Sequence, residues 1–123
     1  NSVNDAILVG AGKLGQALLH YAGFTNNLNI VRAFDNDKNK CNKTKIYNID
    51  EMSDFIKQNN IKIGIITVPK EYAQEVCDLL IESGIKAIWN FAPVNLKLPE
   101  NIAIKNEDLS SSFLILLNDL NKK

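Results

Sequence analysis

Three glycines and one aspartate are the residues in this chain best placed to do chemistry. Gly10, Gly12 and Gly15 follow the apolar run Ala6-Ile7-Leu8-Val9 at the spacing G-x-G-x-x-G. Asp35 closes a second apolar run, Ile30-Val31-Arg32-Ala33-Phe34, about 20 residues later. The chemistry such a set performs is non-covalent capture of a dinucleotide. Gly10 permits backbone angles that a side chain forbids, Gly12 lets a diphosphate approach bare main chain, and Gly15 lets a helix pack closely on a strand. A helix starting near Lys13 presents unpaired N–H groups and a partial positive charge to the phosphates. Glycine-rich turns also occur for packing alone; strand, glycines, helix, strand and acid in that order favour the dinucleotide reading.

Positioning these residues takes alternating strands and helices. The first helix is expected from about Lys13 to Tyr21, ended by Gly23 and followed by a polar turn from Thr25 to Asn29. Asn36 to Thr44 is too short and polar for a crossover helix and reads as a surface loop into an edge strand at Lys45-Ile46-Tyr47. Asp50 to Gln58 has helical spacing through Met52, Phe55 and Ile56. Ile61 to Val68 reads as a strand buried on both faces and stopped by Pro69. Glu71 to Glu82 predicts a helix with an apolar stripe through Tyr72, Val76, Leu79 and Leu80, closed by Ser83-Gly84. Ile85 to Phe91 is a fifth strand, broken by Pro93, and Ile102-Ala103-Ile104 a sixth of undetermined direction.

The pattern predicts an α/β fold, a Rossmann-like doubly wound and mainly parallel sheet in one domain over residues 1–123. Ligands of such sheets lie beyond the carboxyl ends of the strands, at the switch point beside the first strand. That rule gathers Gly10, Ala11, Gly12, Lys13, Leu14 and Gly15 with Asp35, Thr67-Val68-Pro69 and Asn90-Phe91-Ala92-Pro93 around one crevice. Residues 109–121 form a last helix that is apolar beyond one stripe, through Leu109, Phe113, Leu114, Ile115, Leu116, Leu117 and Leu120. It reads as either a docked helix with exposed leucine or a helix packed on, or exchanged with, a second subunit.

Composition narrows the partners. The 123 residues are 46% hydrophobic and 23% charged with zero formal net charge, so composition gives no basic face for unaided DNA or membrane binding. No apolar run has the length of a membrane span. Cys41 and Cys77 lack C-x-x-C spacing, which favours incidental thiols in a reduced, cytoplasmic setting. The chain starts at Asn1 and its sole methionine, Met52, is internal, as expected for a piece of a longer protein.

Six blocks carry a resemblance to a known family. They are Gly10-Ala11-Gly12-Lys13-Leu14-Gly15-Gln16-Ala17-Leu18-Leu19, Tyr21-Ala22-Gly23-Phe24, Ala33-Phe34-Asp35, Thr67-Val68-Pro69, Asn90-Phe91-Ala92-Pro93-Val94 and Asn106-Glu107-Asp108-Leu109-Ser110. In order and spacing they resemble the C-terminal domain of the Rex redox-sensing transcriptional repressors. The resemblance implies a non-enzymatic domain that binds NADH or NAD+. It also implies a homodimer with an exchanged C-terminal helix, and operator binding through an N-terminal winged-helix domain that this chain lacks. NADH would favour a closed dimer released from DNA, and NAD+ would permit binding. Gly10, Gly12 and Gly15 would hold the pyrophosphate and Asp35 the adenine ribose, with NAD favoured over NADP because the carboxylate repels a 2′-phosphate. Thr67, Val68 and Pro69 would line the adenylate wall, and Asn90, Phe91, Ala92 and Tyr21 would sit toward the nicotinamide. Asp108 resembles an acid that communicates with the DNA-binding domain, and Leu109 stands where many relatives carry an aromatic residue.

Several residues keep a second reading. Asp35 could cap the loop that follows it, with Asp37 on the ribose instead. Lys13 could touch a phosphate or simply be solvated, and Tyr21 could be a packing residue. Two other functions fit parts of the pattern. One is a CoA-binding module; the other is the cofactor half of an NAD-dependent dehydrogenase, for which no proton donor is evident in the Thr67 or Asn90 segments.

Overall fold

Strand β1, Asn4–Val9, sends Ala6 and Leu8 to one face and Ile7 and Val9 to the other, and all four side chains are buried. A strand covered on both faces belongs inside a parallel sheet with helices on either side. The computed structural model describes residues 4–21, 27–41, 45–107 and 120. In it, β1 is followed by α1 (Lys13–Leu19), β2 (Leu28–Asp35) and β3 (Ile46–Asn48). Then come α2 (Met52–Asn59), β4 (Ile63–Ile66), α3 (Lys70–Ser83), β5 (Ala87–Asn90) and β6 (Ala103–Asn106).

The six strands lie in the order β3-β2-β1-β4-β5-β6, and every neighbouring pair is parallel. The sixth strand, whose direction the sequence left open, thus continues the parallel pattern beside β5. Its four residues are all exposed, so β6 is an edge. The order reverses between β1 and β4, which opens a crevice at their carboxyl ends.

Two cores result. Ile7, Val9, Phe34 and Ile66 pack with Met52 and Ile56 of α2 and with Ala73, Val76, Cys77 and Leu80 of α3. Ala6, Leu8, Ala33 and Ile65 pack with Leu18 and Leu19 of α1. On β2, Arg32 is sandwiched by two rings: its guanidinium carbon lies 3.9 Å from the centre of Tyr47 and 4.1 Å from that of Phe55.

Element boundaries moved for local reasons. The first helix ends at Leu19, with His20 as its C-cap, two residues short of Tyr21. The stretch expected to be helical from Asp50 opens instead on a tight 3₁₀ turn, Ile49–Glu51. It is capped by Asn48, whose side-chain oxygen accepts from the Asp50 amide at 2.8 Å. Strand β4 is half as long as the apolar run predicts, losing Ile61 and Lys62 at its start and Thr67 and Val68 at its end. Helix α3 ends as expected at Gly84, whose φ of +117° suits glycine alone. Tyr72, expected on the buried stripe of α3, is 56% exposed: it stands in the first turn, over the crevice rather than over the strands. The expected helix 109–121 and Asp108 lie outside the described residues, apart from Leu120.

Cys77 is fully buried between α3 and the sheet, and burial, with Asp78 adding, raises its thiol pKa from the usual 9.0 to about 11. The unfolded chain gives up this proton first, so the contribution to stability is whole below pH 9 and falls between pH 9 and 11. Urea unfolding across that range should show a decline of up to about 1.4 kcal/mol per pH unit that Cys77→Ala lacks. Identical slopes in the two proteins would show that the thiol does not titrate as its burial requires.

Candidate functional site

The turn between β1 and α1 is built from backbone and fastened by neighbouring strands. Gly10 has φ +104°, and its amide donates to the Phe34 carbonyl at 2.8 Å. A Cβ here would stand 2.9 Å from the Thr67 carbonyl carbon, so strain and crowding both exclude a side chain. The Thr67 hydroxyl lies 2.9 Å from the Val9 carbonyl oxygen and 2.8 Å from that of Gly10 and donates into that pair. Gln16 reaches back from α1 to donate to the Ala11 carbonyl at 2.7 Å. A Cβ on Gly15 would collide with the Gly10 carbonyl oxygen, whereas one on Gly12 would meet nothing within 4 Å. Gly12 is the N-cap of α1, and no side chain caps that helix. The first-turn amides therefore begin at a bare glycine on the rim of the crevice.

Asp35 joins the turn to the loop after β2. One carboxylate oxygen accepts from the Ala11 amide at 2.7 Å and the other from the Asp37 amide at 2.7 Å. The loop-capping role is thus present, together with a tie to the glycine turn. Each oxygen keeps a second lone pair, and the residue still lines the crevice. Asp37 lines it too, while its own carboxylate accepts from the Asn39 amide at 2.9 Å. The Cys41 thiol donates to the backbone carbonyls of Asp35 and Asp37. Burial, with Asp35, Asp37 and Glu51 adding, raises its pKa, which keeps the thiol protonated and poorly nucleophilic.

The crevice has a volume of about 740 Å³, within the roughly 300–1,000 Å³ of small-molecule and cofactor sites. Of the residues expected there, Gly10, Gly12, Lys13, Leu14, Asp35, Thr67, Val68, Pro69, Phe91 and Ala92 line it. Ala11 and Gly15 are buried behind the wall as parts of the turn.

Asn90 is also behind the wall, 1% exposed, and needs correction as a lining residue. Its side-chain oxygen accepts from the Ala92 amide at 3.0 Å, and its NH₂ is 3.1 Å from the carbonyl oxygens of Ala92 and Val94 and from Oδ1 of Asn106. It shapes the Phe91–Val94 bend instead of facing a ligand. Tyr21 is the second correction. It lies past the C-cap of α1, 55% exposed, and is not among the residues that line the crevice.

Sequence reasoning missed Lys40 and Ile49 on one side and Tyr72, Glu75 and Val76 on the other. The signal for the latter group was the i, i+3, i+4 spacing at the start of α3, which puts one helical face toward whatever lies beyond Pro69. Among the described residues no group of His, Cys, Asp and Glu could hold a metal ion, and no helix is long and apolar enough to cross a membrane.

A family model described as CoA binding domain matches residues 1–94. The redox-sensing transcriptional repressor Rex of Caldicellulosiruptor saccharolyticus is 43% identical over 122 residues, covering 95% of this chain and 56% of that protein. A solved structure of RSP in complex with β-NADH matches with TM-score 0.85 and 36% identity, over 98% of this chain and 61% of that one. RSP in complex with β-NAD+ and operator DNA matches with TM-score 0.82 and 37% identity, over 98% of this chain and 58% of that one. The chain thus spans less than two thirds of the length of each of these relatives.

The turn makes contrasting demands on its glycines. Gly15→Ala should cost about 3 kcal/mol or more because backbone must move, whereas Gly12→Ala should stay within about 0.5 kcal/mol of wild type. Asp35→Ala, which strips the acceptor from two amides, should cost about 1–3 kcal/mol. Chemical denaturation of the three variants checks this; equal losses at Gly12 and Gly15 would contradict the geometry.

Proposed function

The chain belongs to the CoA-binding domain family and is a homologue of the Rex redox-sensing repressors, and from that membership we propose that it is the NADH/NAD+-sensing domain of a transcriptional repressor. The observation that carries this reading is the uncapped, side-chain-free rim at Gly12 beside the Asp35 carboxylate. A diphosphate placed there accepts from bare backbone amides, and the free lone pairs of Asp35 accept from a ribose diol.

The cofactor is NAD(H). Gly10, Ala11, Gly12, Lys13, Leu14 and Gly15 form the phosphate turn, Asp35 takes the ribose, and Thr67, Val68 and Pro69 form the wall beside it. Phe91 and Ala92 stand toward the nicotinamide, supported from behind by Asn90. In this reading the chain is a regulator and catalyses nothing, in keeping with homologues named as repressors. RSP has been solved with operator DNA, and by analogy DNA would be reached through a winged-helix domain that precedes this one in a longer protein. NADH would release that protein from DNA, and residues 109–121 would join two subunits in a cytoplasmic homodimer.

CoA is the second reading, favoured by the description of the matching family. Two carboxylates on the crevice, Asp35 and Asp37, oppose the 3′-phosphate of CoA, which places it behind NAD(H).

Side-by-side titration with NADH, NAD+, NADPH and CoA decides between them. Trp89 provides the signal: its ring centre is 4.8 Å from that of Phe91, which lines the crevice. NADH should bind tightest and quench Trp89, NAD+ more weakly, NADPH at least about tenfold more weakly than NADH, and CoA least. A response to CoA equal to that of NADH would end the assignment. Sedimentation should find a dimer, which truncation after Asp108 disrupts; a soluble full-length monomer would remove the exchanged helix.

A further inference from the structure

We propose that Tyr72 is the base-stacking residue of the crevice, supplying the aromatic face on which the adenine of the dinucleotide lies. The inference rests on the NAD(H) reading and adds to it a residue that neither the glycine motif nor the family blocks contain.

Tyr72 sits in the first turn of α3, where its amide donates to the Pro69 carbonyl at 3.0 Å. It lines the crevice, yet 56% of it remains exposed, and among the described residues its hydroxyl makes no hydrogen bond. Helix residues four apart share a face, so Val76 stands beneath Tyr72 and lines the same wall. A tyrosine held over a cleft with its ring in water is an apolar surface awaiting cover.

The position of Asp35 says what covers it. A ribose held by this carboxylate, with its diphosphate at Gly12, would carry its base on the side away from the phosphates, within the same crevice. Asp37 and Lys40 of the loop after β2 and Tyr72 and Val76 of α3 all line this crevice. Within this group, Tyr72 alone offers a flat π surface, and a purine is a flat π ligand. Stacking leaves the edge of the base free for polar groups of the crevice and asks nothing of the phenol hydroxyl.

Calorimetric titration of the full chain with NADH and with ADP-ribose, which keeps adenosine and lacks nicotinamide, tests the assignment in wild type, Tyr72→Ala and Tyr72→Phe. Loss of the ring should weaken both ligands by the same factor, about 5- to 20-fold, and Tyr72→Phe should restore binding to within about twofold. Because the side chain is exposed, thermal unfolding of both variants should match wild type. Unchanged ADP-ribose affinity in Tyr72→Ala, or an equal loss in Tyr72→Phe, would overturn the stacking role while leaving NAD(H) binding intact. Wild-type protein that binds neither ligand would instead overturn the dinucleotide reading, and the role of Tyr72 with it.

Discussion

One carboxylate accepts an N–H from the glycine turn and another from its own loop, and the shape of the crevice depends on that pair of bonds. Asp35 ends β2, Ala11 lies between the first two glycines, and Asp37 opens the loop toward the rim. Hydrogen bonds to an ionised acceptor are about twice as strong as neutral ones, so two at 2.7 Å hold two chain segments to a fixed separation. The Thr67 hydroxyl does the same from β4, against the carbonyls of Val9 and Gly10. The turn is therefore organised before any ligand arrives, which lowers the ordering cost of binding.

Such preorganisation needs neighbours that cannot drift, and the sheet supplies them. Asp35 ends β2 and Thr67 follows β4, the two strands that flank β1 in the middle of the sheet, so both of these side chains rest on central strands. On the far side, the Phe91–Val94 bend is fastened by Asn90. The link after it is clamped by Gln74, whose side-chain amide both donates to and accepts from the Lys97 peptide at 2.8 Å. Asn90 also touches Asn106, and Trp89 donates to Glu107 at 3.2 Å. The wall of the crevice and the last residues of β6 are thus parts of one hydrogen-bonded unit, directly ahead of the segment that begins at Asp108.

This connection gives physical content to the sensor reading. In the proposed sensor, the β5 to β6 bonds would join the wall of the crevice to the chain that follows β6. The two cysteines stand apart from it: Cys77 is buried, and the Cys41 thiol, near the carboxylates of Asp35 and Asp37, has its pKa raised.

From the sequence alone came the α/β alternation, the glycine turn, the acid at the end of β2 and the segments that converge on the crevice. All of these follow from local rules: period-two burial, backbone freedom at Gly10 and the stop imposed by Pro69. Tertiary structure alone decided the rest. Whether Asn90 faces a ligand or the interior depends on partners at residues 92, 94 and 106. Whether Tyr72 is core or rim depends on where α3 starts relative to the strand ends, which no helical periodicity encodes. Tyr21 follows the C-cap of α1 and is not among the residues that line the crevice, which motif spacing does not reveal. Side-chain type announces what a residue can do, but which groups meet it depends on contacts between segments far apart in the chain.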